Sequence, residues 1–518
     1  MRHRPGSSVL LVTLGLLAAV AQFGVRAQQL PRLAPSYRFD AARLDALHDA
    51  KMRGLNYIPG EVVVRFKRGM GPARQQRALD VVRSRPRLTD LEWFGETAVL
   101  RDLTQPNSLF MAQQLASQPE VEYAEPHYIR RLPVRRRPQA ILDVGDPSIQ
   151  RTPNDPQFGS LQWNFSLIGM QQAWDINPGA TQDVIIGVVD TGITTVNQSF
   201  TFPLYTGSSI QNVSLPFAVS PDLPVSRMVS QRDFVFFNSG TPVLDMEGHG
   251  THVASTIAEE TNNSFRAAGI AYNARIMPIK ACVGYWELMI ANAQAGRPGF
   301  NVGVDDGFCD SVAMAAGIRY AANNGAKVIN VSIGGPGLVN DERAAITEAV
   351  SRGAFVSISA GNDFEDGNPT IYPAQFAASI NGAMSVAAIG KSQRRAYYSS
   401  TGNWVEIAAP GGDYTDGGGQ DDGLIWQASL LYTDQDPLIR IPRFDNYATI
   451  GNQGTSMAAP HVAGLAALLV SQGVTRPEAI ESLIRATAKD LGTAGKDNDF
   501  GYGLIQPRAA LRGLGIRK

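Results

Sequence analysis

The chain is poor in cysteine, in net charge and in long apolar runs, and each shortage excludes something. Only two cysteines occur in 518 residues, Cys282 and Cys309. Two thiolates are too few for a metal site, whereas in an oxidising compartment a pair within one domain more often forms a disulfide. Such a bridge would close the glycine-rich stretch between them. The 46 basic and 47 acidic side chains nearly cancel, giving a formal charge of −1, so there is no electrostatic case for a nucleic-acid partner. No stretch reaches the roughly 18 apolar residues wanted for a membrane anchor. The sequence also lacks an H-E-x-x-H zinc motif and a second Asp-Thr-Gly.

What is present begins with a targeting pattern. Arg2, His3 and Arg4 precede a short apolar run, Val9 to Ala21, and Val25-Arg26-Ala27 offers a signal-peptidase site. Residues 1–27 are therefore expected to be a signal peptide, with export to the extracellular space or a periplasm. No cysteine follows the run, so lipid attachment is not expected. The remainder, with 44% hydrophobic and 18% charged residues, is ordinary globular composition.

Residues 28–130 carry the signals of a small α+β unit. Pro59 to Lys67 is a turn and strand, Ala73 to Arg83 a helix, and Ala98 to Leu100 a strand. Leu109 to Ser117 is a second helix and Val121 to Tyr128 a last strand, an order that fits a ferredoxin-like domain. The basic run Arg130-Arg131-Leu132-Pro133-Val134-Arg135-Arg136-Arg137-Pro138 leads into residues 131–153, read as an exposed, cleavable basic linker. No aromatic side chains are interleaved there for base stacking.

From 154 to 518 the pattern becomes α/β. Val184–Val189, Arg275–Ala281, Ala326–Ser332, Ala354–Ser359 and Met384–Ile389 are apolar runs suited to strands buried on both faces. Helical stretches, Val312–Asn323, Asp341–Arg352 and Arg476–Ala488, alternate with them. The expectation is a mostly parallel central sheet flanked by helices, with functional groups beyond the carboxyl ends of the strands.

Chemistry-bearing residues fall at those ends. Asp190 leaves the first strand in Asp190-Thr191-Gly192; alone, that tripeptide is equally a turn or half of an aspartic-protease motif. His249 lies in Gly248-His249-Gly250-Thr251-His252-Val253-Ala254 and opens a helix. His249 and His252 are three apart, so a metal pair is the competing reading, but a third and fourth ligand cannot be named. Ser359-Ala360-Gly361-Asn362 follows another strand. Ser456, in Gly454-Thr455-Ser456-Met457-Ala458-Ala459-Pro460-His461-Val462-Ala463-Gly464, starts a helix, where the dipole favours developing negative charge. Pro460 is placed in that helix's first turn. Asp190, His249 and Ser456 have the types of an orienting carboxylate, a general base and a nucleophile. Asn362 and the Ser456 N–H suit an oxyanion. His252 and His461 are taken as packed structural histidines.

These segments, with Asn330-Val331-Ser332-Ile333-Gly334-Gly335, occur in the order in which a subtilisin-like serine protease carries them. The chain resembles that family, the subtilases, from about Trp163 to Gly503. The resemblance implies the three-layer subtilisin fold and a secreted serine endopeptidase made as a zymogen. It also implies a triad of Asp190, His249 and Ser456 and an oxyanion donor at Asn362. Ser332, Ile333, Gly334, Ala360 and Gly361 would bind substrate, the first three as an edge strand. Residues 28–130 would be a propeptide acting as intramolecular chaperone and inhibitor, its tail lying through the cleft until cut between about Tyr128 and Thr152. Substrates would be proteins or peptides. No cofactor is required for the chemistry; many relatives carry a structural calcium ion, but its ligands are not assignable, and the acidic Asp416–Asp422 segment reads rather as a flexible loop. Asp363 is expected near the mouth of the specificity pocket and Ile371 at its floor, mildly disfavouring bulky aromatic side chains. The readings from other classes are a catalytically silent relative that binds without cutting, and a metal-dependent hydrolase.

Overall fold

The computed structural model describes residues 40–132, 152–236, 242–297, 307–417, 421–431 and 441–512, and for 135–140 the backbone. The expected signal peptide and much of the linker, 133–134 and 141–151, lie outside the described residues.

The N-terminal unit opens with a helix, Ala41–Met52, whose first turn is capped by the Asp40 carboxylate accepting from the Arg43 N–H. Four strands follow: β1 (Tyr57–Phe66), β2 (Glu92–Phe94), β3 (Thr97–Arg101) and β4 (Val121–Arg130). Helices Pro72–Leu79 and Ser108–Ala116 lie between them in sequence. The antiparallel order β4-β1-β3-β2 gives the β-α-β-β-α-β arrangement of a ferredoxin-like unit. Val62, Val64, Leu100, Met111 and Leu115 form its core. The sequence reading missed β2, only three residues long and none of them fully buried.

The basic segment is not simply exposed. β5 (Arg135–Ala140) pairs antiparallel with a strand from the far end of the chain, as described below.

The larger unit is built on β6 (Ile185–Asp190), the antiparallel hairpin β7 (Gln198–Tyr205) and β8 (Ile210–Phe217), β9 (Arg232–Asp233), β10 (Arg275–Lys280), β11 (Cys282–Val283) and β12 (Phe308–Asp310). It continues through β13 (Val328–Val331), β14 (Phe355–Ser359), β15 (Ala383–Ile389), β16 (Ile407–Pro410), β17 (Ile425–Leu430) and β18 (Tyr447–Gln453). Seven of these form a parallel sheet in the order β16-β15-β14-β13-β6-β10-β9. β18 pairs antiparallel with both β17 and β5.

Alternation along each strand sends side chains to two cores, as a sheet covered on both faces requires. Val189, Ile329, Val331, Val356 and Ile358 pack with helices Ser311–Asn323 and Asn340–Ser351. Ile186, Val188, Val328 and Val386 pack on the other side with helices His249–Ala258 and Thr455–Ser471. The Thr455–Ser471 helix is buried through Leu469, so it is apolar all round.

Cys282 and Cys309 are bonded, S–S 2.02 Å, and face each other across the antiparallel pair β11–β12. β12 also pairs with β4, so the two units share one six-stranded sheet, β11-β12-β4-β1-β3-β2. Among the described residues, no helix is long and apolar enough to cross a membrane.

Candidate active site

Asp190 is the last residue of β6 and is fully buried. Its Oδ1 accepts from the Thr191 N–H at 2.7 Å and lies 2.6 Å from His249 Nδ1. The two residues are 59 positions apart and meet because the His249–Ala258 helix starts beside the end of β6. Gly250 allows that approach: a Cβ there would come within 2.3 Å of the Gly192 carbonyl oxygen.

A residue missed by the sequence reading holds this junction. Asp245 Oδ1 accepts from Thr191 Oγ1, Glu247 N–H and Gly248 N–H at 3.0, 3.0 and 2.7 Å. Its Oδ2 accepts from Thr251 N–H and Oγ1 at 3.1 and 2.6 Å. Thr191 Oγ1 in turn accepts from Gly250 N–H at 2.8 Å. One buried carboxylate thus ties the helix bearing His249 to the turn bearing Asp190. Its signal in the sequence was an acid just before a helix start, where free N–H groups need acceptors.

His249 Nε2 is buried without a hydrogen-bond partner. An imidazole with Nδ1 on a carboxylate and Nε2 free is set up to take a proton at Nε2.

Ser456 is the second residue of the Thr455–Ser471 helix. Its Oγ donates to the Ser332 carbonyl at 3.2 Å, and Ser332 Oγ donates back to the Ser456 carbonyl at 2.9 Å. The second bond corrects the expectation for Pro460, which is the sixth residue of this helix rather than in its first turn. A proline there cannot donate to the carbonyl four residues back, which is that of Ser456, and Ser332 satisfies that carbonyl instead.

Asn362 follows β14 by three residues and is 8% exposed. Its Oδ1 accepts from Thr455 N–H and Oγ1, each at 2.9 Å. That fixes the amide so that Nδ2 points away, and Nδ2 has no partner. Buried donors are nearly always paired, so an unpaired one beside the Ser456 helix fits a group that carries charge only during a reaction.

The expected substrate-binding residues border the same place. Ala360 donates its N–H to Val386, and Gly361 donates its own to Thr455 Oγ1 at 3.1 Å. Ser332 and Ile333 are buried. Gly334 exchanges both backbone hydrogen bonds with Arg131, at 2.9 and 3.0 Å. Further along the chain, Arg135 and Arg136 of β5 stand opposite Gln453 and Asn452, just before Gly454 and the serine helix. Leu132 lies over Gly307, whose Cβ would stand 3.1 Å from Leu132 Cδ1. Asp363 donates its N–H to Ser400 Oγ at 3.0 Å.

His252 and His461 are buried and engaged by their neighbours. His252 Nε2 lies 3.1 and 3.0 Å from the carbonyls of Ile425 and Ile450. His461 Nδ1 lies 2.8 Å from the Met457 carbonyl and Nε2 2.8 Å from Asn164 Nδ2, and burial pushes His461 down to about 4. Among the described residues, no group of three or more His, Cys, Asp or Glu is placed to hold a metal ion. Asp416 of the acidic loop is engaged by Ser392 N–H and Oγ and by Arg394.

A parallel α/β sheet with a buried Asp–His pair at the end of one strand, and a serine at a helix start beside an unpaired amide, has the residue types of a serine-hydrolase site. The Subtilase family profile matches residues 181–503, and the chain belongs to that family. Thermitase of Thermoactinomyces vulgaris is 32% identical over 66% of this chain and 94% of its own length. Thermophilic serine proteinase of Bacillus sp. (strain AK1) is 29% identical over 87% of this chain and 86% of its own. Fervidolysin of Fervidobacterium pennivorans is 31% identical, but this chain spans only 50% of its length. The crystal structure of fervidolysin shares the fold with a TM-score of 0.60 at 24% identity, covering 88% of this chain and 61% of that one. The protein is a subtilisin-like serine endopeptidase, with protein or peptide substrates.

Proposed function

We propose that the protein is an exported zymogen in which Asp190, His249 and Ser456 form the catalytic triad. The observation that carries this reading is the buried 2.6 Å contact of His249 Nδ1 with Asp190, with Nε2 left free. In the proposed reaction His249 takes the Ser456 hydroxyl proton as Oγ attacks the peptide carbonyl. Asn362 Nδ2 and the Ser456 N–H hold the oxyanion. His249 then gives the proton to the leaving amine, and water repeats the sequence on the acyl-enzyme. Asp190 fixes the imidazole tautomer and stabilises the imidazolium.

Residues 28–130 act as the propeptide. Supporting this, Arg131 is paired with Gly334 upstream of the serine and β5 is paired with β18 next to it. A chain held on both sides of the Ser456 helix start is a substrate bound by strand addition, and the maturation cut falls between Arg131 and Arg135. The residue 1–27 signal delivers the zymogen outside the cytoplasm; relatives named as extracellular proteases, such as that of Xanthomonas campestris, agree with this destination.

The test is to express wild type and Ser456→Ala and to follow chain size and casein hydrolysis. Wild type should shorten and digest casein, and Ser456→Ala should do neither. An uncut, inactive wild type would overturn the reading.

A further inference from the structure

β12 is a short strand with a large task. Its three residues, Phe308–Asp310, pair antiparallel with β4, Cys309 opposite Arg130 and Asp310 opposite Ile129. One residue further on, Arg131 pairs with Gly334. The segment Ile129–Arg131 is therefore clasped between two walls, β12 on one side and Gly334 of the 332–334 edge on the other. If residues 28–130 are removed, β12 loses its longer-range partner. Its ladder is then the pairing with β11, only two residues wide, Cys282 with Cys309 and Val283 with Phe308. A two-stranded ladder of that length has little stability of its own in water.

The disulfide joins that ladder. Cys282 and Cys309 are both fully buried. Cys282 lies two residues after β10, whose last residue Lys280 stands beside Asp190 in the parallel sheet. The bridge thus fastens β12 to the strand neighbouring Asp190. It also closes a loop of 27 residues' separation, whose freedom would otherwise oppose holding β12 in place.

We infer that the Cys282–Cys309 disulfide is a tether that keeps β12 in position as the outer wall of the extended substrate site. It thereby sets affinity for the upstream residues of a polypeptide substrate and leaves the acyl-transfer chemistry alone. The inference rests on the proposed site at Ser456 and on the prosegment tail being bound as a substrate is bound. A single amino-acid ester occupies the residue at the cut bond and nothing upstream. A peptide with six residues before the cut bond reaches β12. Loss of the tether frees β12 to leave the cleft, so only the peptide pays in binding.

The experiment compares mature wild type with Cys282→Ser/Cys309→Ser, produced as the full chain, on an N-acetyl amino-acid ester and on such a peptide. KM for the peptide is expected to rise about tenfold with kcat within about twofold, and kcat/KM for the ester to stay within about twofold. Mature wild type treated with tris(2-carboxyethyl)phosphine, its free thiols counted by mass spectrometry, should show the same split; it decides the matter where the double variant fails to mature. Equal losses on both substrates, or an unchanged KM for the peptide after reduction, overturn the tether. A wild type that cleaves neither substrate overturns the proposed site instead.

Discussion

Ser332 and Ser456 hold each other reciprocally: each hydroxyl donates to the other's carbonyl, at 2.9 and 3.2 Å. The pairing locks the start of the Ser456 helix to the 332–334 edge, which pairs with Arg131. Ser332 Oγ also accepts from Asn330 Nδ2 at 2.9 Å, so its rotamer is set from behind. Ser332→Ala leaves the Ser456 carbonyl buried and unpaired, because Pro460 cannot donate to it. The expected cost is about 1–3 kcal/mol, read as a lower denaturation midpoint in a Ser456→Ala background that prevents self-digestion. No change in midpoint would show that the carbonyl finds another donor.

Asp190→Asn should nearly abolish self-processing. The asparagine amide would donate towards Nδ1 and favour the tautomer that cannot take the serine proton. The corresponding change in a chymotrypsin-type triad lowers kcat about 10⁴-fold. Time-resolved gel analysis of the full chain reads this as prosegment removal slowed by about that factor. Processing at the wild-type rate would dismiss Asp190 as the orienting group.

Asn362→Ala separates two jobs of one side chain. Removing the free Nδ2 donor should lower kcat about 10²–10³-fold with little change in KM, the size of effect found for an oxyanion-hole asparagine in subtilisin. Removing Oδ1 also orphans the Thr455 N–H, so a loss of stability should accompany it. A KM effect without a kcat effect would place Asn362 in substrate binding instead.

The parts of this architecture that could be read from sequence are those with local causes. The apolar runs of β6, β10, β13, β14 and β15 are legible because strands covered on both faces need no polar alternation, and Asp190 and Asn362 announce themselves by leaving such strands. The reciprocal bond of Ser332 and Ser456 spans 124 positions, and no periodicity encodes it. Pro460 was misplaced for the same reason: its cost is offset by a hydroxyl from a distant segment. Asp245 has four of its five donors within six residues, at the start of the His249 helix, but the fifth, Thr191, is 54 positions away, and that tie to β6 has no local signal. The basic stretch after Arg130 was read by composition as exposed, whereas its backbone donors and acceptors complete β18.

Prosegment retention should weaken as pH rises to about 9. His127 is buried between Glu61, 2.8 Å from Nδ1, and Asp310, 2.8 Å from Nε2; Arg43 pairs with Glu61 behind it. Burial opposes charge on His127, but the carboxylates of Asp310 and Glu61 outweigh it and hold the imidazole at about 9, against an ordinary 6.5. Separation from β12 removes Asp310 but leaves Glu61 on the ring, so this group favours the complex at low pH and the contribution is lost as pH passes about 9. Glu125 acts in the same direction. Burial raises it to about 7, although it accepts from the Asn340 and Asp341 N–H groups. Its protonated form is therefore favoured in the complex, and the complex loses that contribution as pH climbs from about 4.5 through 7. The inhibition constant of the cut but still associated prosegment should rise over this window, and His127→Gln should flatten the upper part of the curve. A flat or inverted profile in wild type would refute the linkage.

Ile371 should set the size of side chain accepted at the cut bond. It is fully buried, and it lies where side chains at two glycines would point. A Cβ on Gly334 would sit 2.9 Å from Ile371 Cγ2, and one on Gly361 2.6 Å from Cγ1. Those glycines belong to the 332–334 edge and to the turn before Asn362, the two walls beside the reacting carbonyl in the proposed reaction. Tyr372 then exchanges backbone bonds with Gly335 at 2.9 and 3.0 Å, which prevents the branched side chain from backing out. A hydrophobic pocket discriminates one methylene by about 10–200-fold, so wild type should prefer small side chains over Phe or Tyr. Ile371→Ala should raise kcat/KM for a Phe substrate relative to an Ala substrate by at least about tenfold, with some loss of stability from the emptied core. Peptide-library profiling reads both, and strong Phe or Tyr preference in the wild type would mean that the pocket floor lies elsewhere.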